Sequence, residues 1–273
     1  MKQVTFEKIN TSSKIFEVLN NNNFAWWERF KSEPSFYIEV RKNNQINVYY
    51  EGGNVVRLHY CTKRKVLQAF THCKYLGHEE LKNKYIDCID ILDTEIDNIV
   101  SRIKKIYSEK YGTNKEKWSE KYIQGHIIEK GRTKYIDSEF AYKNKETDIR
   151  IDLVECVNGQ IRFVELKRLD DNRMLKKTDN DPEVITQMKN YKQFAIKNRK
   201  DILEYYNKIY DIKKSLKLPI PPQKPISICV EPLLIIFNRW EKKHSKRDNH
   251  RQRMEKILQR EKKNFDYIII DEI

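Results

Sequence analysis

No apolar run in the 273-residue chain approaches the ~20 residues that a membrane helix needs. The longest, Pro232 to Phe237, is strand-sized, and no membrane partner is expected. Met1 to Thr11 is polar and lacks the apolar segment of a secretion signal. The five cysteines (61, 73, 88, 156 and 229) are odd in number and contain no CxxC pair. They read as reduced thiols, and the expected compartment is the cytoplasm. His59, Cys61, His72 and Cys73 lie close in sequence but match no standard zinc spacing, and Cys61 falls in a strand pattern.

One excess stands against these absences. Lys plus Arg number 54 and Asp plus Glu 40, a net charge of +14. That balance favours a polyanionic partner, nucleic acid ahead of an acidic membrane surface; a solvated lysine-rich surface is the competing explanation. The length suits one large domain or two smaller ones, with ample chain to bury a core.

The most informative stretch is Asp148 to Arg168. Ile149 to Cys156 and Ile161 to Lys167 read as two strands, and Asn158-Gly159 between them suits a tight hairpin turn. Alternation places Ile149, Ile151 and Leu153 on one face and Asp148, Arg150 and Asp152 on the other. On the second strand Phe163, Glu165 and Lys167 share a face, with Val164 and Leu166 opposite. The hairpin can bring Asp152 near Glu165 and Lys167. Two carboxylates and an ammonium amid apolar strands are costly unless paired or bound to a metal. Such carboxylates suit a hard divalent cation like Mg²⁺, which polarises a phosphoryl group and lowers the pKa of bound water. A neighbouring lysine can orient that water or stabilise developing negative charge.

Asp152 followed by Glu165-Leu166-Lys167 resembles the signature of the PD-(D/E)XK nuclease superfamily: an acidic residue on one core strand and (D/E)-x-K on the next. Ile151 stands where the signature's proline would fall. A second motif agrees in spacing and order. Gln187 and Tyr191 lie four apart on a helix pattern after E-x-K, hence on one helical face, and resemble the Q-x-x-x-Y motif of RecB-like members. A polar helix face is the ordinary alternative.

The remaining chain is consistent with that frame. Ser12 to Leu19 reads as a helix, and the Asn20–Asn23 run as a turn before Trp26-Trp27. The tryptophans suit buried packing better than stacking on bases. Ser35–Arg41, Gln45–Glu51 and Asn54–Cys61 read as a three-stranded meander with turns at Asn43-Asn44 and Gly52-Gly53. Residues 79–112 carry Leu81, Tyr85, Ile89, Leu92, Ile96, Ile99, Ile103 and Ile106 at helical spacing, with Gly112-Thr113-Asn114 as the stop. Trp118 to Lys130 reads as a second helix ending at Gly131. Tyr135 to Tyr142 reads as a strand, with a polar turn over Lys143 to Glu146. Asp181 and Pro182 suit a helix cap and first position for Pro182 to Asn198. Ile202 to Lys217 reads as helical, and the proline-rich 218–225 as a connector. Ile226 to Phe237 reads as a strand interrupted at Pro232, Trp240 to Lys263 as a basic helix, and Phe265 to Ile270 as a last strand.

The resemblance implies an α/β fold with a mixed sheet: a restriction-endonuclease-like α-β-β-β-α-β core over 113–273. Residues 1–112 fall outside it, as an N-terminal meander-plus-helix unit expected to recognise or gate substrate, bind a partner or simply cover the sheet. It implies a Mg²⁺-dependent nuclease, with Mn²⁺ as substitute, acting most readily on DNA, in the manner of a defence or restriction-type effector. Asp152, Glu165 and the Leu166 carbonyl would hold the metal, and Lys167 would orient the attacking water. Gln187 and Tyr191 would support the site or contact the substrate. Glu120 is a further catalytic candidate from the preceding helix, although a first-turn glutamate is favoured by the helix dipole alone. Glu139 is an extra metal-ligand candidate if it points at Asp152 across a strand pair; a strand-edge surface residue is the alternative. Arg168 and Arg173 follow the active strand and are candidate phosphate contacts. Arg247, Arg251 and Arg253 lie on the basic helix, which suits a nucleic-acid backbone or a solvated face. A catalytically silent nucleic-acid-binding or adaptor protein and an RNA nuclease are the alternative functions. A second copy or another protein is a candidate partner for the N-terminal unit.

Overall fold

Asn43 and Asn44 both take positive φ, 56° and 59°. These left-handed residues reverse the chain between β1 (Phe36–Arg41) and β2 (Gln45–Tyr50). The computed structural model describes residues 6, 9–109, 118–144, 148–175, 177–178, 181–240 and 247–272. The expected division at 112/113 lies outside them, as do the 112–114 helix stop, 145–146 of the polar turn, and 241–246 of the expected basic helix.

The first sheet is antiparallel, in the order β1-β2-β3-β4-β5. It adds β3 (Gly53–Cys61), β4 (Val66–His72) and β5 (Tyr85–Asp87). The three-strand meander is thus extended by two strands. The apolar spacing of 79–91 does not make an α-helix; only short 3₁₀ turns form, at Glu79–Leu81 and Ile89–Ile91. Tyr85–Asp87 pairs with Phe70–His72, and the Asp87 carboxylate accepts from the Ala69 and Ile89 amides. Helix α3 begins only at Leu92 (Leu92–Lys104). With α1 (Lys14–Asn21) and α2 (Ala25–Ser32) it covers the sheet. Trp26 and Trp27 are buried there, so neither is available to stack on bases.

The second sheet is mixed, in the order β13-β12-β8-β7-β6. Strands β6 (Tyr135–Lys143), β7 (Asp148–Val157) and β8 (Gln160–Arg168) form an antiparallel meander. Asn158 and Gly159 take φ of 50° and 72° at its second turn, as an Asn-Gly hairpin requires. Two-residue segments follow as β9 (Lys177–Thr178) and β10 (Asp181–Pro182), which pair with each other. Another, β11 (Ser227–Ile228), lies parallel to the start of β8. β12 (Leu233–Phe237) runs parallel to β8, and β13 (Asp266–Ile270) parallel to β12.

Helix α4 (Glu120–Lys130) packs Ile123 and Ile128 on one face of this sheet against Leu153, Val164, Leu166 and Ile235. Short α5 (Asn172–Leu175) follows β8. Helices α6 (Glu183–Lys197), α7 (Arg199–Ser215) and α8 (Arg247–Glu261) lie on the other face, against Val154, Phe163 and Ile236. Each fully buried Leu, Ile or Phe here contributes roughly 1.5–3 kcal/mol. Pro182 is the N-cap of α6 rather than its first residue, because Asp181 is held in the pairing with Thr178. The fold is mixed α/β. Among the described residues no helix is long and apolar enough to cross a membrane.

The two sheets do not stand apart. One buried apolar cluster includes Phe36 and Val56 from the first, Phe163 from the second and Tyr206 from α7. Arg41 Nη1 reaches Asp137 Oδ1 at 2.7 Å and the Ser138 carbonyl at 2.5 Å. Lys213 Nζ reaches Glu39 Oε2 and the Ile136 carbonyl, each at 2.7 Å. On α4, a Cβ added at Gly125 would meet the Gly52 amide nitrogen at 2.7 Å, so glycine is required for this approach.

Candidate active site

The β7–β8 hairpin carries the core of the site, and its alternation is regular on only one strand. Phe163, Glu165 and Lys167 share the face toward α6, with Val164 and Leu166 toward α4, as expected. On β7 the expected grouping of Ile149, Ile151 and Leu153 fails. Ile149 and Ile151 join the α6–α7 core with Val154, whereas Leu153 joins the α4 core. β6 shows the same switch. Phe140 packs on Tyr205 and Tyr206, and Asp137 also accepts from the Tyr206 hydroxyl at 3.3 Å. Residues an odd number apart on a regular strand cannot share a face. The switch falls at Glu139, whose φ is 51°, and at Asp152 opposite it; the ladder skips both between Ser138↔Leu153 and Phe140↔Ile151. This bend seats Asp152 beside Glu165 and Lys167.

Lys167 is the centre of the cluster. Its Nζ lies 2.6 Å from Glu165 Oε1, 3.6 Å from Asp152 Oδ2 and 3.7 Å from Glu120 Oε2. It also donates to the Leu166 carbonyl at 2.7 Å. Asp152 Oδ2 accepts from the Leu166 amide at 2.9 Å. Glu120 is the first residue of α4, after the Ser119 cap, and Oε1 accepts from the Arg168 amide at 3.4 Å. From α6, Gln187 Nε2 donates to Glu165 Oε1 at 2.7 Å and the Tyr191 hydroxyl to Oε2 at 2.8 Å. The Tyr191 hydroxyl also contacts the Arg150 carbonyl. The helix spacing that set Gln187 and Tyr191 on one face therefore aims both at one carboxylate.

Burial sets the electrostatics. The Glu165 side chain is 1% exposed and that of Lys167 3%, whereas Glu120 and Asp152 keep 35% and 34%. Burial, aided by the Asp152 charge, pushes Glu165 up to about 7 against the pull of Lys167. Burial likewise raises Glu120 to about 7. Burial alone would lower the Lys167 ammonium, but Glu165, Asp152 and Glu120 outweigh it and raise its pKa. Burial, then the Glu165 charge, pushes the Tyr191 hydroxyl up.

The donor set is all oxygen: three carboxylates and the Leu166 carbonyl, the chemistry of a hard divalent cation. Three carboxylates also outnumber the one buried ammonium. The residues fit such an ion in donor type and charge. Among the described residues no group of three or more His, Cys, Asp and Glu is arranged to hold a metal as it stands. Here the carboxylates converge on the Lys167 ammonium.

Other candidates separate. Arg173 is at the cluster, 53% exposed, with Nη1 3.4 Å from Gln187 Oε1 and 3.8 Å from Glu165 Oε1. Arg168 is not a free phosphate contact. Its guanidinium forks onto Asp170 at 2.9 and 3.0 Å and reaches the Trp118 carbonyl at 2.5 Å, anchoring the segment that carries Glu120. Glu139 is turned by its positive φ to within 3.5 Å of Lys121 Nζ, and no recorded contact joins it to Asp152 or Glu165. On α8, Arg247 donates to the Asn238 carbonyl at 3.1 Å and Arg251 pairs with Glu255 at 3.0 Å. Arg253 is half-buried, and no recorded contact brings these three arginines to the cluster. Sequence reasoning missed Gln124, whose Nε2 donates to the Asp152 carbonyl at 2.6 Å. Its signal was present: Gln124 lies four residues after Glu120, on the same helical face.

No protein-family model, curated protein or solved structure matches the chain.

Proposed function

We propose that the chain is a divalent-cation-dependent nuclease that hydrolyses phosphodiester bonds, with DNA as its substrate. One observation carries this reading: three carboxylates from β7, β8 and α4 stand within 4 Å of the buried Lys167 ammonium. A purely structural ion pair needs one carboxylate. Three leave excess negative charge at a partly exposed edge, which a divalent cation offsets.

Asp152, Glu165 and the Leu166 carbonyl are the residues that would hold Mg²⁺ or Mn²⁺. Once bound, such an ion polarises the phosphoryl group and lowers the pKa of a coordinated water. The chain's own groups do the rest. Gln187 and Tyr191 fix both oxygens of Glu165. Gln124 fixes the backbone at Asp152. Arg173 offers a charged guanidinium to a phosphate oxygen. Lys167 orients a water for attack on phosphorus and stabilises the developing charge. Departure of the 3′ oxygen leaves a 5′ phosphate.

The order α4-β6-β7-β8-α6-β12, with β12 parallel to β8, supports a restriction-endonuclease-like core. The ion pairs from Arg41 and Glu39 make the N-terminal sheet an integral support of that core, in keeping with a recognition or gating part. The test is incubation with plasmid, linear duplex, single-stranded DNA and RNA in Mg²⁺, Mn²⁺ or EDTA. Cation-dependent cutting of DNA is expected. Cutting of RNA alone overturns the substrate, and no cutting at all overturns the activity.

A further inference from the structure

Beside the cluster, the outer face of α6 forms one wall of a trough. Its first compartment, about 480 Å³, is lined by Arg150, Arg173, Thr186, Gln187 and Asn190 among others. A second, about 300 Å³, continues past Asn190 to Gln193, Lys197 and Tyr142. Asp148, Ile149 and Asn190 line both, so the two abut. Thr186, Asn190, Gln193 and Lys197 are all exposed and recur at helical spacing along one stripe. The stripe is about 16 Å long at the ~1.5 Å rise of a helix.

The lining has a consistent chemistry. Amides dominate: Gln187, Asn190, Gln193 and, at the far end, Asn144 and Asn198. Asn190 and Gln193, exposed in the middle of the stripe, offer both a donor and an acceptor, as base edges require, whereas Gln187 is held by Glu165 and Tyr191, Asn198 by the Phe194 carbonyl and Asn144 by the Tyr142 hydroxyl. Arg173 stands at the catalytic end, Arg150 on the opposite wall and Lys197 at the far end, where a backbone would place its phosphates. Arg150 is 81% exposed, and its nearest carboxylate, Asp148, is 3.6 Å away. Asp148 and Glu183 are the acidic members of the lining. Asp148 also pairs with Lys143 at 3.0 Å.

The shape selects the form of nucleic acid. A helix that reads a duplex must project so as to enter the major groove, ~12 Å wide. α6 does not project here; its stripe faces the start of β7 across a concave space. At ~3.4 Å per stacked nucleotide, about 16 Å accommodates roughly five nucleotides of one strand. We infer that this trough binds a single strand of nucleic acid and delivers one end of it to the Lys167 cluster. The inference rests on the nuclease reading for the fate of the strand, but not for its binding.

The experiment measures anisotropy of a labelled single-stranded DNA oligonucleotide, and of the same sequence as duplex, in EDTA so that nothing is cut. The full chain is compared with Asn190→Leu/Gln193→Leu and with Arg150→Glu. All three positions are exposed, so the fold tolerates the changes; melting curves verify this. Wild type is expected to bind the single strand at least ten times tighter than the duplex, and each variant to lose about tenfold on the single strand. Unchanged single-strand affinity in both variants, or preference for duplex, overturns the trough. Wild-type cleavage in Mg²⁺ separates the two ideas. Cutting with unchanged variant binding refutes the trough alone. Weakened variant binding without any wild-type cutting refutes the nuclease reading and leaves the trough standing.

Discussion

Glu139 stands opposite Asp152 in the β6–β7 ladder, yet the two do not pair. Both strands change face at that point, and the change turns Asp152 toward Lys167 while Glu139 turns toward Lys121. A carboxylate of the candidate site is thus seated by a local break in strand regularity, as bulges near functional sites do.

Glu165 makes the metal-free protein sensitive to pH. Its carboxyl moves from 4.5 in the unfolded chain to about 7 when folded, chiefly through burial. A raised folded pKa gives stability that is fully present below 4.5 and is lost as pH rises through about 7. The loss is about 3 kcal/mol. Glu120 and Asp137 are also raised to about 7 and add to the same window. Denaturant unfolding in EDTA across that window should show falling stability, and Glu165→Gln should flatten the fall. A variant that keeps the full slope would remove Glu165 from the account.

The second motif carries a stability prediction of its own. Tyr191→Phe removes the donor to Glu165 Oε2 from a buried hydroxyl. The expected cost is about 1–3 kcal/mol, because the carboxylate loses a partner it cannot replace with water. Gln187→Leu should cost less, since Gln187 is only half-buried. Calorimetric melting of both variants checks the order.

How much of this could be read from the chain follows from which interactions are local. Asn158-Gly159, the E-x-K triplet and the Gln187–Tyr191 spacing are short-range patterns; the structure forms the turn and brings Glu165, Lys167, Gln187 and Tyr191 together. Glu120 was placed on the right helix, and it also reaches Lys167. The errors arose where long-range pairing overrode local pattern. Tyr85 to Asp87 has helical apolar spacing but pairs with β4, covering the edge at Phe70 to His72 that would otherwise stay bare. Arg168 ends β8 at the edge where a phosphate contact is expected, but Asp170 and the Trp118 carbonyl claim it. The Glu139 bend has no sequence sign beyond the residue itself, because a positive φ at glutamate is imposed by neighbouring strands.

The junction between the sheets predicts a single unfolding unit. Arg41 pairs with Asp137, whose side chain is 2% exposed. Arg41→Ala leaves an unpaired buried carboxylate and should cost about 3–5 kcal/mol. Arg41→Met with Asp137→Asn should cost less than Arg41→Ala alone, because no buried charge is stranded. Urea unfolding should remain one transition in each case. Two transitions would show that the sheets are independent.

Under the proposed nuclease reading, Lys167 acts in the chemistry and not in cation binding. Lys167→Met should lower cleavage about 10²–10³-fold, as loss of an electrostatic stabiliser does. The Mg²⁺-induced rise in melting temperature should persist or grow, because the competing ammonium is gone. Loss of that rise would make Lys167 a structural pillar of the carboxylates.

The most direct measurement compares wild type and Glu165→Gln on one labelled single-stranded DNA, in Mg²⁺ and in EDTA, after both are shown to melt cooperatively. The account predicts cutting by wild type in Mg²⁺ alone, and a loss of at least a hundredfold in Glu165→Gln. Equal cutting by a folded Glu165→Gln protein, or cutting by wild type in EDTA, would contradict the assignment of this cluster as the active site.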